Sequence, residues 1–221
     1  MTKTLGLIHT SATLVEVFAK LCAEHLPGVD TFNIVDDSLI KNTVAAGHLT
    51  PRTARRVGDH IGSAEAAGAD HILVTCSSIG AAVEAAAPFT GVPVTRVDRP
   101  MADEAVALGT RIGVLATLTT TLDPTADLVR RSAAAAGKEI SLTARVCEGA
   151  FEALMGGDAA THDALVAAAL RELDVDVIVL AQASMARVAG TVETKAPVLA
   201  SPPLAMKYLA GELRSERAVH Q

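Results

Sequence analysis

Three short segments of this chain recur in the same order at nearly one spacing, and this repeat limits the fold more than any other feature. Gly6-Leu7-Ile8-His9-Thr10 parallels Gly113-Val114-Leu115-Ala116-Thr117. Asp70-His71-Ile72-Leu73-Val74-Thr75-Cys76 parallels Asp176-Val177-Ile178-Val179-Leu180-Ala181-Gln182, and Val92-Pro93-Val94 parallels Ala196-Pro197-Val198. The offset is roughly 105 residues each time, which marks a duplicated unit. The longer segments are apolar runs that stop at small polar residues, as buried strands do. Helix-forming stretches lie between them. The expected fold class is therefore α/β: two similar units, each with a parallel sheet, related by internal duplication.

Periodicity and punctuation place the elements. Leu5 to Ile8 reads as a strand, and Leu14, Phe18, Leu21, Cys22 and Leu26 put a helix over Thr13 to Leu26, ended by Pro27-Gly28. Thr31 to Val35 is a second strand, with Asp36-Asp37-Ser38 at its exit. Thr50-Pro51 is an N-cap followed by an N1 proline, opening a helix to about Ala67. Ile72 to Val74 and Val94 to Val97 complete the strands of the first half. The second half gives strands at Arg111 to Leu115, Ile140 to Ala144, Val175 to Leu180 and Pro197 to Ala200. Its helices run from Pro124 to Ala136, from Val146 to Met155 with Cys147 on the apolar face, and from a Thr161 cap to about Leu173. A helix from about Leu204 to Arg214 matches the one that follows Pro93 in the first half, so it is expected to complete a unit after the chain has crossed over. The expected lobes are 1–98 plus about 200–221, and 99–199.

A formal charge of −6 and only 2% aromatic residues, with no Trp, disfavour a nucleic-acid partner, which needs basic patches and stacking platforms. No apolar run reaches the roughly 18–20 residues of a membrane span. The opening Met-Thr-Lys-Thr-Leu leads straight into a strand, so no signal peptide is expected. Three widely spaced cysteines argue against a disulfide framework or a zinc site. His48, His60, His162 and His220 lack metal-ligand spacing as well. These features predict a reduced, cytoplasmic protein with no metal and a small polar ligand.

The chemistry is expected at Val74-Thr75-Cys76-Ser77-Ser78-Ile79-Gly80. Here a buried strand delivers a cysteine to the turn before a helix, where backbone N–H groups are unpaired and the local dipole is positive. A thiol in such a turn is biased toward thiolate, and a carboxylate can dock beside it. An intracellular cysteine is more often a small buried hydrophobe, and Cys22 and Cys147 fit that description. The strand-end position before two serines sets Cys76 apart. In parallel sheets ligands bind beyond the carboxyl ends of the strands, so the site is expected in the cleft between the two units.

The Cys76 turn, the loop Ala116-Thr117-Leu118-Thr119-Thr120 and the duplicated layout resemble the aspartate/glutamate/hydantoin racemase superfamily over essentially the whole chain. The resemblance implies two flavodoxin-like lobes, no cofactor, a small carboxylate substrate and often a homo-oligomer. Racemases of this kind use two cysteines, one per lobe; one takes the substrate's α-proton and the other returns it on the opposite face. By position, Cys76 matches the first cysteine. Ser77 and Ser78 match the residues that bind the carboxylate with backbone N–H groups, Thr117 and Thr120 match the second lobe's carboxylate-binding pair, and Thr10 and Ser11 lie on the first substrate loop.

At the second cysteine's position stands Gln182, followed by Ala183 and Ser184. Glutamine can hydrogen-bond but cannot act as acid or base at neutral pH, so a symmetric two-thiol racemisation is not supported. His9 and Asp98, both at strand exits, are candidates for a second base, although turn and capping roles are commoner there. Asp36 and Asp37 are expected to be solvated in their turn, and Arg99 and Arg187 are candidates for a second substrate carboxylate. The leading expectation is a cofactor-independent, racemase- or isomerase-like enzyme using Cys76 next to the carboxylate of a small amino or carboxylic acid. The alternatives are a single-cysteine decarboxylase, a cis-trans isomerase of a small dicarboxylate, or an inactive small-anion binding protein. The enzymatic reading predicts a lowered pKa at Cys76.

Overall fold

A computed structural model describes residues 2–219; His220 lies outside them. The chain divides into two compact units. One runs to Val97 and resumes at Pro202; the other spans Asp98–Ser201.

The first unit is built on a parallel sheet of β1 (Thr4–His9), β2 (Asp30–Val35), β3 (His71–Val74) and β4 (Val94–Arg96), in the order β2-β1-β3-β4. Its register sets Gly6 opposite Phe32 on one side and Ile72 on the other. Alternation along β1 divides the core between the two faces of the sheet. Leu5 and Leu7 pack with Phe18 and Cys22 of α1 (Thr13–His25). Ile8 packs on the opposite face with Leu39, Val57, Ile61 and Val83, supplied by α2 (Ser38–Ala46), α3 (Pro51–Ala66) and α4 (Gly80–Ala86). Both faces are thus covered by helices, which suits strands as apolar as Ile72–Val74. Thr50 caps α3 as its sequence predicts, its side chain accepting from the Thr53 N–H.

The second unit repeats the plan with β5 (Arg111–Ala116), β6 (Ser141–Val146), β7 (Val177–Leu180) and β8 (Val198–Ala200), ordered β6-β5-β7-β8 and all parallel. On one face α7 (Ala150–Met155) and α8 (Ala159–Arg171) bury Ala150, Val166 and Leu170 against Leu115, Ile178 and Leu180. On the other lie α5 (Arg99–Leu108) and α6 (Thr119–Ala135). The repeated aspartate has a physical role in both copies. Asp70 accepts from the Thr4 N–H at 2.8 Å, and Asp176 accepts from the N–H groups of Thr110 and Arg111 at 3.1 and 2.8 Å. Each carboxylate pins the start of the unit's central strand. The Arg111 and Thr110 N–H groups also hold the Asp176 carboxyl below its usual pKa.

After β8 the chain returns to the first unit as α9 (Ser201–Val219), whose Ala205, Met206, Leu209 and Leu213 join the core formed by Leu5, Leu7 and Phe18. Burying side chains of the Leu or Met class stabilises by about 1.5–3 kcal/mol each, so α9 is a substantial part of that face.

Several local expectations change. The Asp36-Asp37-Ser38 turn leads into α2, which no sequence signal had announced. Helix α6 begins at Thr119, five residues before Pro124, so Thr119 and Thr120 belong to its first turn. Pro124 lacks an N–H, and so the Thr120 carbonyl loses its i+4 donor. The cap of α8 is Asp158, which accepts from the Thr161 N–H at 3.0 Å; Thr161 sits three residues inside. Cys147 is buried, but it lies in the turn between β6 and α7, with its N–H on the Ala116 carbonyl.

Candidate active site

Strand β3 ends at Val74, Thr75 and Cys76 leave it in extended conformation, and Ser77–Ile79 form a 3-10 turn that runs directly into α4. Ser77 and Ser78 are buried, whereas Cys76 is partly exposed. The Thr10 hydroxyl at the exit of β1, the N–H and hydroxyl of Ser78 and the N–H of Ile79 are the polar groups that act on the sulfur and favour its thiolate. The sequence placed these residues together, and the fold brings Thr10 to them across the β1–β3 pair. The expected low thiol pKa is not what results. Burial dominates and raises it, with the hydrogen bonds opposing that rise only in part. The net effect favours the protonated thiol.

His9 sits beneath this turn, fully buried and packed against Phe18 with ring centroids 5.6 Å apart. His9 Nδ1 lies 2.9 Å from the Thr75 hydroxyl, which also lies 3.1 Å from the Ile8 carbonyl and has one proton to give to either. Nε2 faces Asn33 Oδ1 at 2.9 Å, so a neutral ring donates there and accepts from Thr75. The imidazole therefore ties β1 to β2 and to the residue before Cys76, and burial lowers its pKa, favouring the neutral ring. Asp98 is fully buried and opens α5 at the N-cap position. Ser11 bonds Thr13 at the start of α1, 2.8 Å between hydroxyl oxygens.

The second unit carries the corresponding turn. Gln182 leaves β7 in extended conformation, and Ala183 and Ser184 begin a 3-10 turn, Ala183–Val188. Here Gln182 Oε1 accepts from the Thr117 N–H at 2.5 Å and from the Thr117 hydroxyl at 3.0 Å. A backbone N–H can only donate, so the atom facing it must be the amide oxygen, and this fixes the orientation of the side chain. The same pair of strand exits that joins Thr10 to Cys76 in one unit joins Thr117 to Gln182 in the other. Thr120 Oγ1 is buried without a hydrogen-bond partner.

Arg99 and Arg187, candidates for a second substrate carboxylate, already hold carboxylates of their own. Arg99 pairs with Asp103 and Arg187 with Asp163, each at 2.8 Å, and Arg187 also lies 3.3 Å from the buried His162. Asp36 and Asp37 part company. Asp37 pairs with Lys41 in the open, whereas Asp36 is a hub for Ser38, Arg56 and His60. Only the adjacency of the aspartates was visible in sequence; Arg56 and His60 reach the hub because α3 packs beside α2. Among the described residues no cluster of His, Cys, Asp or Glu is arranged to hold a metal, and no helix is long and apolar enough to cross a membrane.

A family model for the Asp/Glu/hydantoin racemases matches residues 5–209, a span that includes both strand-exit turns. The chain belongs to the Asp/Glu/hydantoin racemase family. Solved racemases share its fold. A glutamate racemase from Bacillus anthracis superposes with a TM-score of 0.73 at 16% identity, covering 97% of this chain and 82% of its own. An allantoin racemase from Klebsiella pneumoniae gives 0.70 at 19% identity, covering 96% and 88%. The aspartate racemase of Picrophilus torridus gives 0.73 at 14% identity, covering 95% and 94%. No curated protein matches the sequence. For this racemase-family chain the likeness establishes architecture, while the chemistry rests on its own turns.

Proposed function

We propose that this racemase-family protein is a cofactor-independent enzyme in which Cys76 moves a proton at the carbon next to the carboxylate of a small amino or carboxylic acid. The observation that carries the proposal is the placement of Cys76 at the strand exit, ahead of the buried Ser77–Ile79 turn and α4, where the Thr10 hydroxyl, both Ser78 groups and the Ile79 N–H favour its thiolate. Such donors stabilise a thiolate as it forms, while burial keeps the resting thiol protonated. A group balanced in this way can both accept and give a proton.

In the forward step Cys76 first releases its proton to water, and the thiolate so formed takes the α-proton; the C–H electron pair moves into the carboxylate as an enediolate, and sulfur is a thiol again. In the reverse step the thiol returns the proton to carbon and the carboxylate is restored. Hydroxyls and N–H groups of the strand-exit turns would hold the negative oxygen atoms. A substrate such as a malonate, losing CO2 to give the same enediolate, needs only the second half of the cycle. The protonated resting thiol is suited to that half.

Gln182 favours one-sided chemistry. It cannot exchange a proton, and its oxygen is engaged by Thr117. His9 has a structural part in this proposal, since both of its nitrogens face partners. The test is solvent deuterium exchange by NMR over aspartate, glutamate, hydantoins, malonates and maleate, with wild type and Cys76→Ala in parallel. Deuterium at the α-carbon that depends on Cys76 and leaves the configuration intact is the expected result. Inversion would mean that another residue replaces the missing thiol. Binding without exchange across the whole panel would favour a small-anion binding protein.

A further inference from the structure

Arg96 is a cation that the chemistry above leaves unused. It lies on β4 with 4% of its surface exposed, and it bonds Glu84 of α4 at 3.2 Å. Its guanidinium crowds the space that a side chain at position 80 would take: a Cβ built on Gly80 would lie 2.3 Å from both Arg96 Cζ and Nη2. The backbone of Gly80 has φ −58° and ψ −35°, ordinary helical values that any residue adopts. The glycine is therefore required by the guanidinium and not by the chain path. Burying an arginine is also a poor route to stability, because an apolar side chain of similar size does as well or better.

We propose that Arg96 is a positioning residue for the Cys76 turn. Seated against Gly80 and tied to Glu84, it fixes the Ser77–Gly80 segment so that the Ser78 and Ile79 N–H groups stay on the sulfur. Gly80 is linked to the turn directly, since its own N–H donates to the Ser77 carbonyl. The inference rests on the proposed role of Cys76. Charged or titratable groups on the elements around the turn are Arg96 of β4, the buried Asp98 just after it, His71 of β3, Glu84 of α4, His9 of β1 and, on α2, Lys41 with its partner Asp37.

The test is the pH profile of Cys76 alkylation by iodoacetamide, followed by mass spectrometry on the intact protein. Arg96→Met is expected to slow alkylation about tenfold at pH 9, equivalent to a midpoint one pH unit higher, with the same plateau rate at higher pH. Gly80→Ala pushes the end of a flexible side chain out of its seat, and it should reproduce that slowing without lowering the melting temperature. It also decides the matter if Arg96→Met fails to fold. Because both changes act through one contact, the double variant should be no slower than either single one. Unchanged profiles in both single variants, or effects that multiply in the double, would overturn the proposal. Alkylation is measured without substrate, so a shifted profile in a protein that exchanges no acid would count against the enzymatic reading and leave the positioning role standing.

Discussion

The Thr117–Gln182 clamp can be tested by changing one atom type at a time. Gln182→Leu keeps the side-chain shape but removes the acceptor from a buried backbone N–H, and Thr117 is 4% exposed. A buried donor left without a partner costs about 1–3 kcal/mol, and the Thr117 hydroxyl can turn to another acceptor, so about 2 kcal/mol is expected. With an m-value of about 2 kcal/mol/M, the urea midpoint should fall by about 1 M. Gln182→Glu keeps an acceptor and makes it charged, which roughly doubles the strength of such bonds. Its stability at pH 7 should equal or exceed that of wild type. The two N–H and O–H donors would hold the new carboxyl below its unfolded pKa of about 4.3. That contribution is present above the unfolded value and is lost as pH falls through the folded one, so the advantage should vanish between about pH 5 and pH 3. Far-UV circular dichroism in urea suits a chain without tryptophan. A Gln182→Leu midpoint equal to wild type, or a Gln182→Glu protein weaker than Gln182→Leu at pH 7, would refute the assignment of the clamp.

Native alkylation should label Cys76 alone, still accelerating through pH 9, because Cys22 and Cys147 are buried with pKa values pushed up to about 11; a Cys76 midpoint below that of a free thiol would contradict the burial argument. His9 has a lowered pKa, so the unfolded chain binds its proton more readily and stability should fall as pH drops below about 6.5; urea midpoints of His9→Gln should lack that slope. Gly109→Ala puts a Cβ 2.5 Å from Asp176 Cβ, a contact with no flexible end to yield, and should destabilise by about 1–3 kcal/mol in the same assay.

The strands and their division between two parallel sheets were legible because the central strands are dense apolar runs and because three segments recur in order, whereas the order of strands in each sheet was not. The Asp70 and Asp176 match was visible as a repeat before its hydrogen bonds explained it. The Cys76 turn was legible too, since a strand exit followed by two serines has a recognisable chemistry. Its pKa was not. Whether donors or burial prevail depends on how tightly Thr10, Ser78 and Ile79 enclose the sulfur, and no spacing encodes that. Helix α2 escaped notice because Ser38 to Ala46 starts in a turn-like Asp-Asp-Ser and carries mixed polarity. Arg96 looked like any strand-end arginine; a glycine in ordinary helical conformation was the only clue to its seat, and it needed coordinates to be seen.

The return of α9 to the first unit has a consequence for synthesis on the ribosome. The second unit is one uninterrupted stretch of chain and can fold as soon as β8 has emerged. The first unit begins earlier yet finishes later, because Ala205, Met206, Leu209 and Leu213 cover the face that Leu5, Leu7 and Phe18 present. Until α9 arrives, that apolar face of the nascent chain is open to water and to chaperones. A chain halted with β8 emerged and α9 still in the exit tunnel would hold a finished second unit and an unfinished first one.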